Sequence, residues 1–142
     1  MARAYASAGR ARNSTRAICA FCRKSSWRDF TAYPAKLASL DLDLAIAPLE
    51  PHPFNEAKSN LRLLEYGILG WPVICTDIFP YQTDNPPVTR RPNEADKWIA
   101  AIRERVAEPD ALAREGDALR EWVKRHYLLE NRLDEWLSAF VR

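Results

Sequence analysis

Two short apolar runs separated by one amphipathic segment form the central pattern of the chain. The first run spans residues 41–49, and the second is the mostly β-branched segment Val73–Thr76. Apolar runs of this length, bounded by turn residues, are typical of buried strands. Residues 60–69 carry apolar side chains at helical spacing, and Gly70 and Pro72 follow as stop signals. The order strand, loop, helix, strand predicts a parallel βαβ unit.

The helix of this unit is predicted to begin at Ser59 or Asn60, either of which can act as its cap. We expect its core-facing side chains to be Leu61, Leu64 and Ile68. In parallel sheets, ligands bind beyond the carboxyl ends of the strands. The loop 50–60 and the segment 77–81 are therefore predicted to meet at that edge of the sheet.

Amphipathic segments on both sides of the unit predict further helices. Residues 33–40 form a short one, and the pattern is helical from residue 93 onward. Three apolar stripes mark these later helices: Ala95, Trp98, Ile99, Ile102 and Val106; Leu112, Leu119, Trp122, Val123 and Tyr127; Leu133, Trp136, Leu137, Phe140 and Val141. We expect the stripes to pack in the core. The predicted fold class is α/β, with an incomplete Rossmann-like parallel sheet over residues 27–81 followed by C-terminal helices.

Charge divides the chain into two parts. Residues 1–28 contain seven basic side chains and no acid, whereas the remainder has 14 basic against 19 acidic residues. We therefore expect a basic head over residues 1–26 and one domain over residues 27–142. An acidic domain lacks the electrostatic footprint of a nucleic-acid-binding protein, so no nucleic-acid partner is predicted. No apolar run reaches about 18 residues, and a transmembrane helix is not expected.

The head has three possible origins. Its Arg-rich, acid-free composition resembles that of a transit peptide, and it equally fits a disordered tail or a misplaced start site. We expect residues 1–15 to lack stable packing, because large apolar side chains are scarce there.

The three cysteines do not indicate a disulfide framework. Cys19 and Cys22 form a lone CxxC, and the two histidines lie at no motif spacing from it. Incidental thiols are favoured over a metal or redox site, and no metal is expected. An odd, low cysteine count indicates a reducing compartment. The expected location is cytoplasmic, with peripheral membrane attachment as the alternative.

The residues around the predicted helix start suggest a phosphate site. Lys58 and Ser59 lie where the loop becomes the helix, and a helix start offers unpaired amides and partial positive charge. Lys58, Arg62 and Glu65 are spaced i, i+4, i+7, which would place them on one face. A carboxylate two turns from bound phosphates can accept hydrogen bonds from a ribose. The same residues would equally form a solvated charge cluster that binds nothing.

Several motifs in one order resemble a known family. The segments 41–50, 53–67 and 70–77, with Pro80 and Tyr81, are similar to the C-terminal domain of GT-B glycosyltransferases. More narrowly, they resemble the retaining "group 1" enzymes of bacterial surface-polysaccharide assembly. The similarity extends over about residues 33–140. It implies that Glu65 binds the ribose of a nucleotide sugar. It also implies that the diphosphate is held by Lys58, Ser59 and the amides of Asn60 and Leu61.

The chain departs from this family at two points. Many relatives carry a glutamate eight residues before the ribose-binding one, where this sequence has Ala57. Asn55, Glu56 or Lys58 could substitute in contacting the sugar, and no catalytic residue is assigned. GT-B enzymes also have two nucleotide-fold domains, and only one βαβ unit is recognisable here. We expect the acceptor-binding half to be missing and the isolated chain to be inactive, with Trp136 and Phe140 left exposed.

The expected function is that of a glycosyltransferase donor domain. It would bind a nucleoside-diphosphate sugar without a metal or other cofactor, and meet a glycan or lipid-linked acceptor through the missing N-terminal domain. Two alternatives remain: a non-catalytic nucleotide-binding module and a structural interaction fragment.

Overall fold

The computed structural model describes residues 30–141. The basic head predicted for residues 1–26, with Cys19 and Cys22, lies outside the described residues. Within them the elements are α1 Tyr33–Ala38, β1 Ala45–Ala47, α2 Pro53–Glu56, α3 Leu61–Ile68, β2 Val73–Thr76, β3 Thr89–Arg91, α4 Ala95–Ala107, α5 Pro109–Tyr127 and α6 Leu133–Phe140. Single turns of 3-10 helix occur at Phe30–Ala32, Phe79–Tyr81 and Leu129–Arg132.

The three strands form one parallel sheet in the order β1-β2-β3. Ala45 of β1 lies opposite Val73, and Ile74 of β2 lies opposite Thr89. The predicted α/β class and the parallel pairing of the two apolar runs are therefore confirmed. The first strand is shorter than the apolar run that predicted it, because pairing begins only at Ala45.

The third strand, β3, was not predicted from the sequence. Its residues are Thr89, Arg90 and Arg91, which lack the apolar run of a buried strand. It pairs with β2 at the edge of the sheet, where such polar residues are tolerated. Residues 77–88 connect β2 to β3 with only a 3-10 turn, and twelve residues suffice for a parallel crossover without a helix.

Both faces of the sheet are covered by apolar side chains. All four residues of β2 are buried, as expected for the central strand of a parallel sheet. On one face, the largest buried side chains that pack with β1 and β2 are Leu42, Leu63, Trp71, Ile78, Tyr81, Leu119 and Val123. On the other face Leu44 and Ile74 pack with Ala101 and Leu112. The sheet therefore lies between α3 with α5 on one side and α4 with the start of α5 on the other.

The face of α3 that packs on the core differs from the predicted one. Leu63 and Gly67 are buried, whereas Leu61 and Ile68 remain 56% and 42% exposed; Leu64 is half-buried. The reason is the close approach of α5: a Cβ atom on Gly67 would lie 2.7 Å from Val123 Cγ2. Glycine at this position allows the two helices to pack closely, which the apolar spacing alone did not reveal.

The end of α3 follows its sequence signals. Gly70 has the predicted left-handed conformation, with φ of +75°. The Arg120 guanidinium donates a hydrogen bond of 2.9 Å to the carbonyl of Leu69, so a cation on α5 satisfies the end of α3. Pro72 then leads directly into β2.

The later helices confirm part of their predicted stripes. On α5, Leu112, Leu119 and Val123 are buried as expected. On α4, however, Ala101 is the buried residue and the predicted Ile99 is 49% exposed. The α6 stripe does not enter the core at all, and Trp136 and Phe140 are exposed. Across residues 30–141, no helix combines the length and apolar character needed to cross a bilayer.

Two buried side chains that are weak acids, the Cys75 thiol and the Tyr81 phenol, should make the stability of the fold sensitive to alkaline pH. Burial raises the pKa of Cys75 to about 12 from 9.0, and that of Tyr81 to about 12 from 10.0. Both groups therefore keep their protons in the fold at a pH where the unfolded chain has lost them. It follows that the free energy of unfolding falls as the pH rises above about 9.

The contribution of Cys75 can be measured separately. Between pH 8 and pH 10 it should lower the free energy of unfolding by about 1.4 kcal/mol. In urea titrations at these two pH values, a Cys75→Ala variant should lose about that much less stability than the unaltered chain. Equal losses in the two proteins would contradict the assignment.

Candidate functional site

The loops that follow β1 and β2 meet at the carboxyl edge of the sheet, as predicted. The amide of Leu49 donates to the Thr76 hydroxyl at 2.8 Å, which joins the ends of the two strands. Farther along, the carboxylate of Glu56 accepts a hydrogen bond of 3.1 Å from the amide of Phe79. The loop 50–60 is thereby attached to the segment that follows β2.

The start of α3 lies at this edge and has open donors. Asn60 is the N-cap residue, and its carbonyl accepts the amides of Leu63 and Leu64 at 2.8 and 3.3 Å. The backbone amides of Ser59, Asn60 and Leu61 have no hydrogen-bond acceptor within residues 30–141. The side chains of Ser59 and Leu61 are exposed, whereas Asn60 is only 7% exposed, so a ligand can reach this end of the helix beside Ser59 and Leu61.

Lys58 precedes the helix, so the predicted i, i+4, i+7 spacing of Lys58, Arg62 and Glu65 does not place it on a helix face. Because α3 begins at Leu61, Lys58 is in the preceding loop, and only Arg62 and Glu65 are related by helical geometry. The Lys58 ammonium lies 4.9 Å from the centre of the Phe54 ring, which holds the cation beside α2. It keeps its exposure to solvent at this position.

Asn55 has a structural contact that the sequence did not indicate. Its amide nitrogen donates a hydrogen bond of 2.8 Å to the carbonyl of Glu50, which closes the loop between β1 and α2. The neighbouring Ala57 is exposed and carries no polar group. Of the three candidates to replace the expected sugar-contacting glutamate, Asn55 and Glu56 are therefore already engaged in holding the loop.

Glu65 belongs to a small polar cluster on α3 and α1. The Tyr33 hydroxyl is hydrogen-bonded to Glu65, and burial, together with this neighbouring carboxylate, raises the pKa of Tyr33. The Arg62 guanidinium lies 3.4 Å from the Tyr66 hydroxyl on the same helix. A carboxylate offers about four lone-pair positions, so Glu65 can accept further hydrogen bonds beside that of Tyr33.

Two exposed aromatic rings flank the same edge. Phe54 on α2 and Phe79 after β2 are 69% and 63% exposed. The hydrogen bond from Phe79 to Glu56 holds their two segments together. Large exposed apolar side chains beside open polar groups are characteristic of ligand-binding surfaces.

A hydrogen-bonded chain links the start of α3 to the end of α5. The side-chain amide of Asn60 donates to the Tyr127 hydroxyl at 2.7 Å, and that hydroxyl donates to the Asp84 carboxylate at 2.9 Å. Asp84 and Asn85 both have positive φ, of 59° and 47°, which these residue types tolerate. The Asn60 side chain therefore does not cap α3 in the expected way, although the residue has the predicted position.

The Asp84–Tyr127–Asn60 chain could not be read from the sequence, since 67 residues separate Asn60 from Tyr127. Beside it lies a shallow polar depression of about 170 Å³, lined by Asp84, Arg125, His126, Asn131, Arg132 and Glu135. Of these, Arg132 is already paired with Glu135 at 2.6 Å. None of the predicted site residues lines this depression.

Over residues 30–141 no group of three or more His, Cys, Asp or Glu is placed to hold a metal ion.

Replacing Tyr127 by phenylalanine should loosen the start of α3. The change removes both hydrogen bonds and leaves the buried side-chain amide of Asn60 without its partner. We expect a loss of about 1–2 kcal/mol in the free energy of unfolding. Hydrogen exchange should also become faster for the amides of Leu63 and Leu64. The substitution Arg114→Ala, at an exposed position on the same helix, serves as the control, and an equal effect of both changes would contradict this role.

Comparison with known proteins gives no relative for this chain. No family model matches it, and no match was found among curated proteins or solved structures.

Proposed function

We propose that this protein binds the nucleoside diphosphate of a sugar donor, as the donor domain of a glycosyltransferase. The observation that carries the proposal is the start of α3. The backbone amides of Ser59, Asn60 and Leu61 have no acceptor within residues 30–141, and Ser59, Leu61 and the preceding Lys58 are exposed at the carboxyl edge of the parallel sheet. Helix starts of this kind bind phosphate through their amides and the partial positive charge of the helix.

Electrostatics supports a phosphate at this position. The domain as a whole is acidic, with 14 basic against 19 acidic residues outside the first 28. A phosphate would therefore be repelled by much of the surface and would be held only where positive charge is concentrated. Lys58 and the open end of α3 supply that concentration. The hydroxyl of Ser59 adds a donor next to them.

The position of Glu65 fits the ribose. It lies four residues beyond Leu61, which is about 6 Å along the helix axis. This separation is comparable to the span from a diphosphate to the hydroxyls of the attached ribose. The Glu65 carboxylate can accept a hydrogen bond from each hydroxyl while Tyr33 occupies one of its remaining positions.

The exposed aromatic rings would complete the site. A nucleobase and the less polar face of a sugar both offer flat surfaces that pack well against aromatic rings. Phe54 and Phe79 present such rings on the two loops that border the start of α3. Their exposure in the free protein is accounted for if a donor covers them.

A second candidate is a nucleotide-binding module without catalytic activity. The observation in its favour is the state of the carboxylates near the helix start. Ala57 provides none, and Glu56 is bound to the amide of Phe79. Sugar transfer requires groups that stabilise the transition state, beyond those that hold the donor. Measuring donor hydrolysis and transfer to acceptors would separate this candidate from the first.

Calorimetric titration with nucleoside diphosphates tests the proposal. We expect uridine, adenosine or guanosine diphosphate to bind more tightly than the matching monophosphate, because the second phosphate adds contacts with the α3 amides and Lys58. Lys58→Ala should weaken binding and reduce its dependence on salt, whereas the exposed Lys97→Ala on α4 should do neither. A folded chain that binds none of the diphosphates would overturn the proposal.

A further inference from the structure

The backbone that leads into α3 has few hydrogen bonds of its own. The amide of Lys58 donates to the carbonyl of Asn55 at 3.2 Å. In the part of the chain that the structure describes, the next three backbone amides, those of Ser59, Asn60 and Leu61, have no acceptor. Hydrogen bonds from these amides therefore do not fix the directions in which they point.

A side-chain contact restrains this segment instead. Nδ2 of Asn60 donates to the Tyr127 hydroxyl at 2.7 Å, and Asn60 is buried. The carbonyl of the same residue accepts two amides from the first turn of α3. Asn60 is thus held at both its side chain and its backbone. Because Tyr127 belongs to α5, one of these restraints comes from a helix that carries none of the predicted ligand contacts.

The orientation of the Asn60 side chain follows from its connection to Asp84. An ionised carboxylate can only accept hydrogen bonds, so the Tyr127 hydroxyl donates to it over 2.9 Å. The hydroxyl oxygen then accepts from Asn60, which turns the nitrogen of that side chain toward Tyr127. An asparagine at an N-cap ordinarily uses its oxygen to accept an amide of the first turn. Asn60 makes no such bond, and the helix start is left to an external acceptor.

Asp84 and Tyr127 are themselves held in place. The backbone carbonyl of Asp84 accepts the indole Nε1 of Trp122 at 3.1 Å, in addition to the bond between its carboxylate and Tyr127. The rings of Trp122 and Tyr127 lie 5.2 Å apart on α5. Burial raises the pKa of the Tyr127 phenol, so its hydroxyl keeps the proton that it donates at neutral pH.

We propose that Tyr127 is a positioning residue of the nucleoside-diphosphate site. Its hydroxyl holds Asn60, and with it the free amides at the start of α3, in one arrangement without touching the ligand. This inference rests on the proposed function. A site whose donors are already ordered binds more tightly, because less conformational freedom is lost on binding. Asp84 contributes in the same way, one step farther from the ligand.

Calorimetric titration of a Tyr127→Phe variant with uridine diphosphate tests this role. The affinity should fall about threefold to tenfold, because the amides must be ordered when the ligand binds. The salt dependence of binding should stay that of the unaltered chain, since no charge that contacts the phosphates is removed. Gly116→Ala serves as the control for lost stability. Its added Cβ would overlap the Gly70 carbonyl at the opposite end of α3, so its affinity should not change.

Two substitutions at Asp84 test the second step of the chain. Asp84→Asn keeps an oxygen that can accept from the Tyr127 hydroxyl, and asparagine tolerates the positive φ of 59°. Its affinity should lie within about twofold of that of the unaltered chain. Asp84→Gly also tolerates this φ but removes the acceptor, and should weaken binding as Tyr127→Phe does.

The outcomes separate this inference from the proposed function. If the unaltered chain binds the diphosphate and Tyr127→Phe binds it equally well, Tyr127 does not position the site, and the proposed function is unaffected. Equal weakening in Tyr127→Phe and Gly116→Ala would reduce the effect to lost stability and overturn the inference. A smaller salt dependence in Tyr127→Phe would also overturn it. If the unaltered chain binds no diphosphate, the proposed function and this inference both fail.

Discussion

Replacing Glu65 by alanine is expected to weaken the binding of a nucleoside diphosphate by tenfold or more. The carboxylate would lose its hydrogen bonds from both ribose hydroxyls, and a hydrogen bond to a charged group contributes about 1.5–3 kcal/mol. The fold should persist, because Glu65 and its partner Tyr33 are only partly buried and water can replace the carboxylate. Calorimetric titration of both proteins with the same diphosphate measures the difference.

Two further variants identify the cause of the loss. Glu65→Gln keeps the size of the side chain and an acceptor for Tyr33, so a loss in this variant reports on the charge and on the second acceptor oxygen. Asp110→Ala removes an exposed carboxylate in the first turn of α5 and should leave binding unchanged. If Glu65→Ala binds as tightly as the unaltered chain, Glu65 does not contact the ligand.

Replacing Gly116 by alanine is expected to destabilise the fold by about 2–3 kcal/mol. The added Cβ would overlap the carbonyl oxygen of Gly70 and lie 3.0 Å from Pro72 Cδ. The backbone of Gly70 is fixed by its left-handed turn and by the strand that follows, so it cannot easily move away. This strain outweighs the roughly 1 kcal/mol that alanine contributes through its higher helix propensity.

Urea unfolding of the Gly116→Ala variant measures this effect. Ala118→Leu on the same helix serves as the control, because it adds a larger group at an exposed position and should change stability by less than about 0.5 kcal/mol. A Gly116→Ala variant as stable as the parent would mean that α5 and the Gly70 turn are not in close contact.

The sequence allowed the central βαβ unit to be predicted because its signals are local. Each signal, whether an apolar run or the stop residues Gly70 and Pro72, determines the conformation of adjacent residues. The structure confirms the parallel pairing and the left-handed turn. The edge strand β3 was missed for the opposite reason. Residues Thr89–Arg91 form a strand because they pair with β2, and their sequence shows no strand pattern.

The errors at the site come from contacts between distant segments. Leu61 and Ile68 were expected in the core, but α5 packs instead against Leu63 and Gly67. The exposed Leu61 consequently lies at the accessible helix start. The chain from Asn60 through Tyr127 to Asp84 likewise depends on how α5 docks, which no local pattern indicates.

An NMR titration of the ¹⁵N-labelled chain with a nucleoside diphosphate tests the central claim most directly. It measures the change in the chemical shift of each backbone amide. The claim is that the diphosphate binds the free amides at the start of α3. The largest changes should therefore fall on Ser59, Asn60 and Leu61, followed by Glu65. Changes confined to the polar depression around Asp84 and Arg125, or no changes at saturating ligand, would contradict it.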